Sequence, residues 1–209
     1  MYSTVRTTCI ALSFLALISC AKVFSTPDAA VLAHKHKTVA IIPPTVSIAA
    51  RKKVDAAAIL EQQKTESLNF QREMHSWLLK RKMQGKISPE IQDVVTTNAL
   101  LKRAGYPETP IPPGELCEIL GVDGVITSNY AISKPMSEGG AVALGLLFGV
   151  WGATNEANVS MDIHDGVNNK LIWNYSHKYS GSIGSSPGRL VDGLMRNASK
   201  KMPYVHGQI

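Results

Sequence analysis

Glu115-Leu116-Cys117-Glu118-Ile119-Leu120-Gly121-Val122-Asp123-Gly124-Val125-Ile126 reads as a short helix, a glycine turn and the start of a buried strand. Gly114-Glu115 opens the helix behind Pro112-Pro113, and Leu120 closes it. Gly121 and Gly124 permit positive φ at the tight turn, and Asp123 between them can accept from neighbouring amides. The strand then runs Val125-Ile126-Thr127-Ser128-Asn129-Tyr130. C-terminal to it, Asn158 to Ile163 alternates, with Val159, Met161 and Ile163 on one face. Asp165-Gly166-Val167-Asn168-Asn169 is turn chemistry, and Leu171 to Tyr179 returns as a strand, which predicts a hairpin. Within that hairpin Trp173 is expected as a core or cross-strand contact.

N-terminal to the turn, Thr38–Ile42 (TVAII) reads as a buried strand stopped firmly by Pro43-Pro44. A long helix follows, with Phe70, Met74, Trp77, Leu78 and Arg81 at helical spacing and Ile59 and Leu60 extending the stripe. Glu61, Lys64, Glu66, Gln71, Arg72 and Lys80 are placed on its polar face, and Gly85 ends it. Ser88-Pro89-Glu90 has the grammar of a second helix start, with Ile91, Val94, Val95, Leu100 and Leu101 following toward Gly105. Ser186-Pro187 opens a last helix carrying Leu190, Val191, Leu194, Met195, Ala198 and Met202. The order β-α-α-α-β-β-β-α predicts an α+β domain. Its small sheet combines the opening strand, the central strand after the Leu-Gly-Val-Asp turn and the C-terminal hairpin, packed by two to four helices.

At 209 residues the chain is long enough to bury a core without disulfides or a structural metal. Its 22 basic against 16 acidic residues give a formal charge of +6, too mild and diffuse to indicate a nucleic-acid partner. Three cysteines form no disulfide framework.

The start of the chain carries an export pattern. Arg6 is followed by the apolar run Cys9–Ile18, the length of a signal-peptide core and too short to span a bilayer. Leu17-Ile18-Ser19-Cys20 resembles the bacterial lipobox: aliphatic at −3, small at −1, cysteine at +1. That order suits a transferase that needs a thiol nucleophile and a peptidase that cuts behind a small side chain. Residues 1–19 are therefore expected as a lipoprotein signal peptide and Cys20 as the lipid-attachment site. Ala21 after the cysteine resembles the outer-membrane default of enterobacterial lipoproteins. Residues 20–37 read as a lipidated tether, with His34-Lys35-His36-Lys37 solvated or touching lipid phosphates. One domain is expected over residues 38–209, with Cys117 as its buried and inert thiol.

Three segments together, Thr38–Pro44, Glu115–Ile126 and the hairpin Asp162-Ile163-His164-Asp165-Gly166 to Lys170-Leu171-Ile172-Trp173, carry a resemblance. They resemble the α+β domain of the TolB amino-terminal region, of the curli-secretion lipoprotein CsgG and of small bacterial envelope lipoproteins. The resemblance spans about residues 38 to 202 and implies that fold and an envelope location. It brings no catalytic residues, and this chain departs from CsgG in lacking long alternating hairpins.

Gly139 to Ala153 (GGAVALGLLFGVWGA) is charge-free, with Ala141, Gly145, Gly149 and Ala153 every four residues. On a helix that ridge allows close backbone approach, although 15 residues at about 1.5 Å each fall short of a roughly 30 Å hydrocarbon core. Ala141, Gly145, Phe148, Gly149 and Trp151 are the candidate contact surface of an insertion. It could pack inside the domain, meet another subunit or dip into the membrane interface.

No nucleophile, P-loop or zinc motif is present, so no catalytic residue, metal site or cofactor is expected. Asp162, His164 and Asp165 are the remaining metal-like cluster, but Asp162 and His164 face away from the apolar side of their strand. The expected function is a lipid-anchored, non-enzymatic binding or assembly component on the periplasmic side of the outer membrane, with protein partners or self-association. The rival readings are a self-oligomerising lipoprotein of the CsgG type and a metal-dependent enzyme using residues 162–165.

Overall fold

The computed structural model describes residues 21–49, 55–133, 156–180 and 187–205. Among these the expected α+β architecture is present, with seven strands and five helices. One mixed sheet is ordered β1 (Lys22–Ser25), β7 (Lys170–Ser180), β6 (Glu156–Asp165), β5 (Gly124–Ser133), β2 (Thr38–Ile41), β4 (Glu90–Ile91), and β3 (Thr45–Ile48) also pairs β5. Its centre is β5 (Gly124–Ser133), β6 (Glu156–Asp165) and β7 (Lys170–Ser180), an antiparallel meander. The predicted central strand and hairpin form it. On the other side β2 (Thr38–Ile41) runs parallel to β5.

Pro43-Pro44 interrupts this ladder and does not end it. The chain resumes as β3 (Thr45–Ile48), still parallel to β5 and pairing Thr45–Ile48 with Asn129–Ile132. Prolines lack the N–H that a ladder needs, and pairing restarts as soon as donors return.

One face of the sheet carries the main core. Phe70, Met74 and Leu78 of α2 (Ala56–Met83) and Leu190, Val191, Leu194 and Met195 of α5 (Pro187–Ala198) pack on Tyr130, Met161, Ile163 and Trp173. Of the predicted α2 stripe, Phe70, Met74 and Leu78 are core, Ile59, Trp77 and Arg81 are half-buried and Leu60 is exposed; Trp173 is fully buried. Phe70 stacks on Tyr130 with ring centroids 4.0 Å apart. Gln71 and Glu66, expected on the polar face of α2, are buried. Gln71 Nε2 donates to Ile41 O at 2.8 Å and exchanges amide hydrogen bonds with Asn98, which holds α2 to β2 and α3.

The opposite face is covered only in part. Leu101 of α3 (Val94–Arg103) and Leu116, Cys117 and Leu120 of α4 (Pro113–Leu120) pack on Ala40, Ile42 and Val125. Ser88-Pro89-Glu90 does not start a helix; Glu90–Ile91 is the short strand β4 beside β2. Asp93, three residues on, caps α3 by accepting from Thr96 N at 2.8 Å. A carboxylate at that position satisfies an orphan amide that Ser88 is too distant to reach.

Residues 22–35 are not an extended tether. Lys22–Ser25 is β1, the outer strand on β7, and Ala29–Lys35 is α1, which buries Ala29, Leu32 and Ala33. The pairing that makes this possible, Lys22–Ser25 with Trp173–Ser176, joins residues about 150 positions apart, so local composition alone does not reveal it.

Candidate functional site

Two polar assemblies stand out, one at each end of the sheet. The first is buried where β2 begins, β6 ends and the C-terminal segment returns. His36, expected to be solvated, is only 4% exposed. Its Nε2 lies 2.9 Å from Asp165 Oδ1 and its Nδ1 lies 2.8 Å from the Tyr204 hydroxyl.

Burial pushes the Asp165 carboxyl up. Hydrogen bonds from His36 and from the backbone and side chain of Asn168 more than offset that, so it stays below the ordinary carboxylate value. An ionised Asp165 only accepts, which places the proton on His36 Nε2. Burial, with the charges of Cys117, Asp165 and Asp123 adding to it, keeps the Tyr204 hydroxyl protonated well beyond its usual range.

Asp123 acts beside this network. Its Oδ2 accepts from the amides of Lys37 (2.7 Å) and Thr38 (2.9 Å), 85 or more positions away, rather than from the neighbouring turn amides expected from sequence. Gly121 takes the expected left-handed conformation, φ +65°. Gly124 is glycine for another reason: a Cβ there would lie 2.6 Å from the His36 ring. Cys117 is buried here too. Burial first, then the charges of Asp165, Asp123 and Glu118, push its thiol up to about 11, so it is a protonated and poor nucleophile. His36, Asp165, Tyr204 and Cys117 are buried and Asp123 is half-buried, and the arrangement joins distant chain segments.

The proposed cluster of Asp162, His164 and Asp165 is split by the pleat. Asp165 turns into the buried network, whereas Asp162 lies on the outward face and accepts from Asn174 Nδ2. Burial lowers the His164 pKa while Asp162 opposes the shift. Among the described residues no group of three or more His, Cys, Asp or Glu side chains could hold a metal ion.

The second assembly lies on the face that α3 and α4 leave uncovered. Register aligns Lys22, Ser176, Ser160 and Asn129 across β1, β7, β6 and β5, and Lys178, Asn158 and Ala131 form the next row. Between these rows is a groove of about 370 Å³. The alternation of β6 and β7 marks the outward residues in the sequence. Lys22 joins them only through β1, which the sequence reading assigned to the tether.

The groove adjoins the end of the sheet from which the chain departs. Ser133, Glu156 and Ser180 are paired there, and Ile48 is paired with Ile132, one residue before Ser133. β1 enters at Lys22, opposite Ser176 on the strand leading to Ser180. The predicted lipid-attachment residue Cys20 and the predicted contact residues Ala141, Gly145, Phe148, Gly149 and Trp151 lie outside the described residues. Among the described residues no helix is long and apolar enough to cross a membrane.

No protein-family model matches the chain, and no curated protein matches it. Among solved structures it is similar to the PelC dodecamer from Paraburkholderia phytofirmans, with 13% identity over 90% of this chain and 99% of that one and a TM-score of 0.44. It is likewise similar to lipoprotein GNA1162 from Neisseria meningitidis, with 13% identity over 79% and 99% and a TM-score of 0.44. The LpoB C-terminal domain from Salmonella enterica gives 9% identity over 69% and 82% and a TM-score of 0.35. With TM-scores below 0.5, these likenesses carry nothing about the site or its function. The specific resemblance to TolB and CsgG is not shown by them.

Proposed function

We propose that this protein is a lipid-anchored, non-enzymatic binding or assembly component of the bacterial envelope, held on the periplasmic side of the outer membrane through Cys20. The observation that carries the reading is the pattern Leu17-Ile18-Ser19-Cys20 behind a ten-residue apolar run. The position of β1 supports it. Lys22 is already a strand residue, and two extended residues span at most about 7 Å. Lipid on Cys20 would therefore hold the sheet end against the bilayer without an intervening spacer. Ser133 and Glu156, which flank residues 134–155, are paired at that same end. Enclosure of the His36–Asp165–Tyr204 network and the raised Cys117 thiol favour a structural over a catalytic use of the polar groups at the far end.

The test is metabolic labelling with palmitate. Wild-type protein should incorporate label, and Cys20→Ala should incorporate none and accumulate as unprocessed precursor. Label retained by the alanine variant would remove Cys20 as the anchor.

A further inference from the structure

The outward groove has a composition of its own. Lys22, Lys178, Asn129, Asn158, Ser160 and Ser176 from four strands line it, together with His177, Val159 and Ala131. Two are ammonium groups, two are hydroxyls and two are amides, and no carboxylate lines it. Of the two flanking register rows, one carries Asp162, whose carboxylate is engaged by Asn174, and the other carries Glu156 opposite Ser180. Short side chains at Ser160, Ser176 and Ala131 leave the middle of the groove open, and the lysines lie on two adjacent strands at one side.

Such a surface complements a group with negative charge and several acceptor and hydroxyl oxygens. Phosphate esters of polyols have that chemistry. The location narrows the source. Lys22 lies two residues from Cys20, so on the anchored reading above, on which this inference rests, the groove sits at the level of the lipid headgroups. Basic side chains near an anionic bilayer are each worth about 1 kcal/mol of attraction, roughly a 5-fold change in affinity.

We propose that the groove formed by Lys22, Lys178, Asn129, Asn158, Ser160 and Ser176 binds the phosphate-bearing polyol headgroup of an anionic membrane lipid. The anchor would supply nearness to the bilayer, and the groove would orient the domain by gripping a second lipid. The basic residues that touch lipid are then Lys22 and Lys178. The run His34–Lys37 lies at the other, closed end of the sheet, where His36 is buried and the Lys37 amide is bonded to Asp123.

Native mass spectrometry of the full chain, purified from membranes in a neutral detergent, tests this. Phosphatidylglycerol, phosphatidylcholine and inorganic phosphate are titrated separately. Phosphatidylglycerol should bind at least 10-fold more tightly than phosphatidylcholine, and Lys22→Gln/Lys178→Gln should weaken it about 30-fold. Lys22→Arg/Lys178→Arg should restore most of the loss, and Lys64→Gln on the exposed side of α2 should change nothing. Equal binding by the glutamine variant, or equal affinity for the two lipids, would overturn the proposal. Binding of inorganic phosphate without phosphatidylglycerol would overturn the lipid source and leave a free anion in its place. The mass of the chain reports separately whether Cys20 carries lipid. An unmodified chain that still selects phosphatidylglycerol defeats the anchor and keeps the groove, and a lipidated chain without that selectivity does the reverse.

Discussion

At one end of the sheet, segments far apart in sequence close on one another through His36, Asp123, Asp165 and Tyr204, with every partner supplied by the chain itself. At the other end, the strands present lysines, amides and hydroxyls outward, and the chain leaves the sheet there. The first arrangement takes charged and polar groups out of water and fully partners them, which is required for burial to be tolerated. The second keeps its polar groups where something outside the domain can reach them. In this protein, polar residues that look alike in sequence serve opposite purposes, and their place along the strands separates them.

Substitutions at the two ends should therefore differ in kind. The largest effect is expected from Asp165→Ala, which removes the acceptor for His36 and Asn168 and leaves a buried imidazole half-partnered. A loss of about 3–5 kcal/mol should appear in denaturant unfolding. The same residue sets an acid limb. Its carboxyl is held below the ordinary value, so the stability it contributes is complete above the unfolded carboxyl's pKa, about 3.9. That contribution disappears as pH falls through the lower folded value. Asp165→Asn should flatten the stability curve below about pH 4, and an unchanged limb would place the acid sensitivity elsewhere.

A middle-sized effect is expected from Gly124→Ala, whose methyl would press on the His36 ring. Overfilling of this type costs about 1–3 kcal/mol, and a thermal melt should show it. The methyl would also lie 2.9 Å from the His164 carbonyl oxygen, so a neutral outcome would mean that both the imidazole and the strand give way and that the closed end is less tightly packed than its distances indicate. The smallest effect belongs to the open end. Lys22→Gln and Lys178→Gln should leave unfolding within about 0.5 kcal/mol of wild type, because both side chains are exposed. A large destabilisation there would erase the contrast between the two ends.

Much of the architecture was legible before the structure. The meander β5–β6–β7, the helix stripe at Phe70, Met74 and Leu78, and the core role of Trp173 follow from periodicities that are local. The glycine turn before β5 was legible as well, although only Gly121 uses positive φ. What escaped depended on distant partners. The run His34-Lys35-His36-Lys37 reads as solvated because nothing near it in sequence reveals Asp165 or Tyr204. Lys22-Val23-Phe24-Ser25 is too short to declare itself a strand until β7 offers an edge. Ser88-Pro89 carries a true helix-start pattern, overridden by pairing of Glu90 and Ile91 with β2. The groove was half visible, in the alternation of Asn158 and Ser160 with Val159 and Met161, and completed only by Lys22.

The bond between His36 and Tyr204 spans 168 positions, and it has a consequence in time as well as in space. A chain synthesised amino-terminus first presents His36 long before Tyr204 emerges. Until then the imidazole lacks its hydroxyl partner, β1 lacks the β7 edge it pairs with, and the central meander is incomplete. Folds that depend on such distant pairings form slowly. Late closure of this kind makes the His36 end one of the last parts of the domain to form, and the same contact then seals it.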